Sequence, residues 1–283
     1  MERIFLNNRP LQQDNVYPHV EIKNTELLTG FSPRRGLEHC ILSNDKLVNV
    51  VSKNYSLLPN ENFFTEVESR LINDDIDFVK RSINRDDRSF AVDYILQDEN
   101  FVIKVKNGVD KIRPMMRFTN SYDGSARTSG NFGFFREVCS NGLHVGHSEI
   151  GFKLKHKGDM QNLVLPEIKK LVALWMDNQF YTLSRKFEVL AETPVQDLKS
   201  FVKFVADESK LFVYESSEKN PAPSKNARFI LDTIEKESKL LQVEPNKWLA
   251  YNAFNELLHN GLKKTFDNQK AIDNRLFELI AAN

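Results

Sequence analysis

The chain has 283 residues, is 41% hydrophobic and 28% charged, and balances 39 Lys+Arg against 39 Asp+Glu. That length suits one large domain or two modest ones with a real core, and the zero balance removes any global charge pointing to nucleic acid or membrane. Two cysteines, Cys40 and Cys139, make no disulfide framework, so a reduced, cytoplasmic protein is expected. The opening MERIFLNNRPLQQDN has no apolar signal region, and no apolar run approaches the ~18 residues of a membrane span.

In chain order, residues 1–45 read as an irregular N-terminal arm. Leu47–Leu58 is β-branched and aromatic enough for a strand, and Asn60 is an N-cap for a helix carrying Phe63, Phe64, Val67 and Leu71 at helical spacing. Phe78–Ile83 and Ser89–Leu96 read as strands, as do Phe101–Val105 and Pro114–Thr119 around Asn107-Gly108, a hairpin signal. Four strands in sequence predict an antiparallel meander. Eight of the eleven glycines lie between Gly108 and Gly158, and the texture then turns helical. A long helix is expected over Leu165–Glu192. The next is expected from Thr193, as N-cap with Pro194 at N1, to about Leu211. Others are expected at Lys225–Leu241 and Asn246–Ala281. The prediction is an α+β fold: an N-terminal antiparallel β-meander with a helix over 46–160, and a helical region packed on it over 161–283.

The functional signal concentrates in Phe118–His147, FTNSYDGSARTSGNFGFFREVCSNGLHVGH. Asn120, Ser121, Asp123 and Ser125 are turn formers at a strand end, and they also offer a carboxylate and hydrogen-bonding partners for proton transfer or an ion. Phe132, Phe134 and Arg136 set aromatics beside a cation, a pattern suited to stacking single-stranded bases, with core packing as the alternative. From Phe101 to Met160 ten bases, among them Arg127, Lys153 and Lys155, face five acids. A basic, aromatic, glycine-rich region of this kind predicts a phosphate-tracking groove, against the simpler reading of a solvated strand face.

Cys139, His144, His147 and His156 are spaced C-x4-H-x2-H-x8-H. Structural zinc favours tighter cysteine pairs and the chain has no CxxC, so no metal is assigned and the cofactor is left open. A Cys139–histidine nucleophile has the residue types but no local signature. Trp248, Tyr251, Asn255 and His259 stripe the last helix at core spacing.

These segments together resemble the phage/plasmid-like family known as domain of unknown function 932. Val51-Ser52-Lys53-Asn54-Tyr55 followed by Asn60 resembles its V-x-x-x-Y…N stretch. Asn120–Ser125 resembles its N-S-H-D-G-S signature, and Arg136–Leu143 with Cys139 and Asn141 its R-x-V-C-x-N-x-L signature. Lys155-His156 stands at its Arg-His-Thr position, and Trp248, Asn252-Ala253 and His259 resemble a late W-x-x-x-N-A…H pattern. Tyr122 departs from the family's common histidine, and Lys155 and Lys157 from the arginine and threonine. The resemblance implies a mobile-element origin and no particular activity.

Three functions follow as expectations. The first is binding of single-stranded DNA or RNA in mobile-element replication, recombination or defence, through Asn120, Ser121, Ser125, Arg127, Phe132, Phe134, Asn141, Lys153 and Lys155. The second is an enzyme on a phosphate-bearing substrate, built on Asn120, Asp123, Arg136, Cys139 and His156, with Arg136 stabilising anionic charge and Asp123 or His156 as base or metal ligand. The third is an interaction or inhibitor protein that binds a host factor through its helical half; a homo-oligomer is a separate partner expectation, with no surface assigned.

Overall fold

The computed structural model describes residues 17–86, 88–105, 108, 110–137, 142–143, 151–176, 180–215, 222–262, 264 and 266–283. The fold is α+β, antiparallel strands with a helix first and helices afterwards. The chain divides into two compact units. The first comprises Met1–Glu99, Met115–Phe132 and His147–Asn178; the second comprises Asn100–Pro114, Gly133–Gly146 and Gln179–Asn283.

In the first unit β1 (Val20–Asn24) leads through a short α1 (Thr25–Thr29) to β2 (His39–Ser43) and β3 (Lys46–Val51), an antiparallel sheet in that order. Two of these strands lie where the composition predicts an irregular arm. The overlooked signal is Asn44-Asp45, whose φ angles of 47° and 62° are those a two-residue hairpin turn requires and Asn and Asp tolerate. α2 (Asn60–Asn73) follows and buries Phe63, Phe64, Val67 and Leu71, the predicted stripe.

The chain continues as β4 (Phe78–Asp86), β5 (Ser89–Leu96), β6 (Ile103–Val105), β7 (Asp110–Ser121), β8 (Thr128–Arg136), β9 (Gly142–Leu143) and β10 (Gly151–Leu154), then α3 (Met160–Met176). In the first unit the strand order is β10-β8-β7-β5-β4. A simple meander would set β6 between β5 and β7. Instead β5 itself pairs Ser89–Ile95 with Met115–Ser121 of β7, because β6 has only three residues.

Strand alternation sorts this sheet's two faces. Phe118 and Phe152 pack on α2 and α3, with Phe63 edge-on to Phe118 at 6.0 Å. On the other face Arg81, Asp93 and Arg117 stand opposite one another on β4, β5 and β7. Arg81 and Arg117 each donate to Asp93 at 2.7 Å. Burial pushes the Asp93 carboxyl up, but Arg117 and Arg81 more than reverse this and hold it below its usual range.

In the second unit β6 pairs the first residues of β7, and β9 the last residues of β8. Among the described residues the helices that follow are α4 (Phe180–Glu192), α5 (Leu198–Ser209), α6 (Lys225–Leu241), α7 (Lys247–Glu256) and α8 (Phe266–Ala282). α7 is buried from Trp248 to Asn255, as expected of a helix at the centre of a bundle. Phe134, Phe187, Ile230 and Leu276 share its core cluster.

Within the expected long helix Leu165–Glu192, α3 and α4 are helical on either side of residues 177–179, which lie outside the described residues. The helical half departs from the sequence reading in two places. Thr193 does not cap α5: its hydroxyl bonds back to Val189 O at 2.7 Å, while Asp197 Oδ1 accepts from Ser200 N at 3.0 Å. The last predicted helix breaks at a π-turn, Leu257–Gly261, at the one glycine of this half.

Gly130 shows how tightly the first unit is packed. A Cβ there would lie 2.4 Å from the Phe152 ring, 2.8 Å from Phe118 and 2.9 Å from Leu171. Gly130→Ala is therefore expected to destabilise the protein by about 1–3 kcal/mol through overpacking, measured by urea unfolding. An unchanged midpoint would contradict the packing.

Candidate functional site

The N-S-Y-D-G-S segment ends β7 and turns into β8. Asn120 points to the helix-covered face and is fully buried. Its Nδ2 donates to Leu58 O and to Asn60 Oδ1, both at 2.8 Å, and its Oδ1 accepts from Thr128 Oγ1 at 3.0 Å. Tyr122 completes the attachment: its hydroxyl accepts from Asn60 N at 2.8 Å. Asn60 is the first residue of α2, where backbone N–H groups have no partner inside the helix. Pro59 provides no side-chain cap, so a tyrosine 62 positions along the chain fills that role.

Ser121 and Asp123 shape the turn. Ser121 Oγ donates to Ala126 O at 2.7 Å and accepts from Ala126 N at 3.1 Å. Asp123 Oδ1 accepts from Ser125 N at 2.8 Å, and Gly124 takes a φ of 75°, a left-handed conformation that favours glycine. Asp123 is half-buried, and Ser125 and Arg127 are exposed.

His156 joins the same network from the segment after β10. It is buried, stacked on Tyr55 with ring centroids 5.0 Å apart and planes 8° from parallel. Its Nδ1 lies 3.3 Å from Ser56 O and its Nε2 3.4 Å from Thr128 Oγ1. A carbonyl only accepts, so Nδ1 carries the proton and Nε2 faces the threonine hydroxyl. The single Thr128 proton is shared between two acceptors, with Asn120 the nearer. Tyr55 Oη donates to Ser121 O at 3.3 Å. Burial lowers the His156 pKa, partly offset by the Ser56 carbonyl. Burial raises both tyrosines, and Asp123 adds to the effect at Tyr55. At neutral pH the cluster therefore consists of neutral donors and acceptors. Thr128 and Ser56 had no signal in the sequence, because a lone Thr or Ser in a turn-rich stretch has no distinctive spacing.

The second signature is built in the second unit. Arg136 is fully buried. Its Nε donates to Asp110 Oδ2 and its Nη1 to Glu237 Oε2, both at 2.6 Å. Trp248 Nε1 donates to the same Asp110 oxygen at 2.8 Å, and the guanidinium lies 5.7 Å from the Trp248 ring centroid. Asn252 Nδ2 binds Trp248 O at 2.7 Å. The late W-x-x-x-N pattern thus meets Arg136 through Asp110. Further along α7, Tyr251 Oη and Asn255 Nδ2 donate to buried Asp273 at 2.8 and 2.9 Å, and His259 lies 3.8 Å from it.

The remaining candidates separate by depth. Lys153 and Lys155 are exposed and Phe132 is half-buried. Phe134 is core, edge-on to Phe187 at 5.2 Å, so its ring has no open face for a base. Cys139, Asn141, His144 and His147 lie outside the described residues. Among the described residues no group of three or more His, Cys, Asp or Glu is placed to hold a metal ion.

Two outcomes are expected. Arg136→Met leaves Asp110 and Glu237 as buried carboxylates without their cation, and should cost about 3–5 kcal/mol in denaturant unfolding; a loss within the range of an ordinary surface change would contradict the buried cluster. His156 resists protonation in the fold, whereas the unfolded chain takes a proton near its ordinary pKa of about 6.5. Stability should therefore fall as the pH drops below about 6.5. His156→Gln should flatten that part of the pH profile, and a variant profile parallel to wild type would refute the assignment.

No curated protein and no solved structure matches the chain. The family comparison matches residues 47–277, a range that holds Tyr55, Asn60, the Asn120 and Arg136 signatures, His156 and the Trp248 pattern. The chain belongs to the family described as Domain of unknown function (DUF932).

Proposed function

We propose that the chain binds single-stranded nucleic acid through the exposed end of the β8–β10 ladder, in the replication, recombination or defence of a mobile element. The observation that carries this reading is a row of exposed cations. β8 and β10 pair Leu154 with Thr128, so the next positions in register are Lys155 and Arg127, both exposed. Like charges facing each other across a ladder are destabilising, and an anion placed between them removes that cost. Lys153 and Lys157 are exposed on either side, while buried His156 anchors the segment between Lys155 and Lys157.

Sorting the basic residues by depth supports the same surface. Of the ten between Phe101 and Met160, Arg113, Arg117 and Arg136 are ion-paired to carboxylates. In the first unit Arg127, Lys153, Lys155 and Lys157 are exposed. A point-charge surface of lysines suits contact with a phosphate backbone and carries no sequence preference of its own. Asp123, Arg136 and His156, the basis of the enzymatic alternative, are bonded to protein groups, and this proposal uses none of them.

The test is fluorescence anisotropy with labelled single-stranded oligonucleotides over a salt series. Binding should weaken with salt. Arg127→Ala with Lys155→Ala should weaken it for all sequences and reduce the slope of log affinity against log salt by about 0.7 per lost phosphate contact. Absence of binding at low salt, or a double variant with an unchanged slope, would overturn the proposal.

A further inference from the structure

The β1-to-β2 connection presents apolar side chains outwards from a built, hydrogen-bonded frame. α1 buries none of its residues. Leu27 is 86% exposed and Phe31 79%, and Leu28 and Leu37 are also exposed. Burial inside this chain therefore does not hold the segment in place. Asn24 Oδ1 accepts from Glu26 N, Ser32 Oγ donates to Glu26 Oε1 and Thr25 Oγ1 donates to Leu37 O, each at 2.8 Å. Clustered apolar groups on so fixed a frame mark an interaction surface.

The adjacent strand identifies the partner. Among the described strands β1 has β2 as its single neighbour. Asn44 N donates to His19 O and Thr25 N to Glu38 O, both at 2.9 Å. In an antiparallel ladder such bonded positions recur at every second residue, so His19, Glu21, Lys23 and Thr25 direct their backbone groups to β2. Val20, Ile22 and Asn24 direct theirs away from it, along the edge. An antiparallel copy of Val20–Asn24 centred on Ile22 sets Ile22 against Ile22 and Val20 against Asn24. It also sets Glu21 against Lys23 twice, once on each side of the centre. Charges that would blunt an edge against unrelated strands are complementary when the partner is the same strand reversed.

We infer that β1 pairs with β1 of a second copy across a twofold axis at Ile22, with the exposed leucines and Phe31 of the β1-to-β2 connection adding apolar contact. Sedimentation equilibrium of the full chain over a concentration series tests this. Wild type should dimerise reversibly. Glu21→Lys sets lysine against lysine at both symmetric positions and should weaken the dimer about tenfold, with an unchanged far-UV circular dichroism spectrum. Adding Lys23→Glu restores opposite charges and should restore the dimer. Leu27→Ser with Phe31→Ser should also weaken it. A monomer at every concentration, a dimer indifferent to Glu21→Lys, or no recovery in the charge-swapped double variant would each overturn the inference.

Discussion

The first unit depends on one buried amide. Asn120 is buried at the end of β7, where both polar ends of its side chain must find partners or incur a desolvation penalty. It binds Leu58 O and Asn60 at the start of α2 and accepts from Thr128 on β8. Thr128 lies next to His156, and His156 stacks on Tyr55, whose hydroxyl returns to Ser121. Segments far apart in sequence are thereby joined through neutral hydrogen bonds. Such a network specifies one arrangement, because each member satisfied elsewhere would leave another unsatisfied.

The same economy governs charge. Arg117 and Arg136 are buried, and Arg81 half-buried, against Asp93, Asp110 and Glu237, where a planar, forked donor suits a carboxylate. The lysines at 153, 155 and 157 stay outside, where a hydrated point charge sits without desolvation cost. The interior is thus held by fixed ion pairs, while the lysines at 153, 155 and 157 keep to the surface. The residue types that look most like catalytic machinery in the sequence, Asn120, Arg136 and His156, are those with the deepest structural commitments.

Much of this was legible in the sequence where a single local rule applied. The helix at Lys225–Leu241 follows from its period, and so does the buried stripe of α2. Tyr55, Asn60, Asn120 and His156 each fall in a family motif, but motifs give neither proximity nor direction to a side chain. Asn60 reads as an ordinary N-cap and is instead the first helical residue, capped from Tyr122, because a long-range hydroxyl outcompetes a local one. Thr193 reads as a cap and loses that place to Asp197 because Pro194 and Val195 join Asn246 and Pro245 through backbone pairing. The break at Leu257–Gly261 is invisible to a periodicity that continues through it. Charge counting registers an excess of cations but does not separate buried arginines from exposed lysines.

The N-S-Y-D-G-S signature is first a device for anchoring α2, and native-state hydrogen exchange on Tyr122→Phe is the decisive check. Removing one hydroxyl takes the acceptor from Asn60 N–H and leaves the ring in place. Protection should be lost selectively at Asn60, with amides in the middle of α2 losing less. Unchanged protection at Asn60, or a uniform loss across the helix, would contradict it.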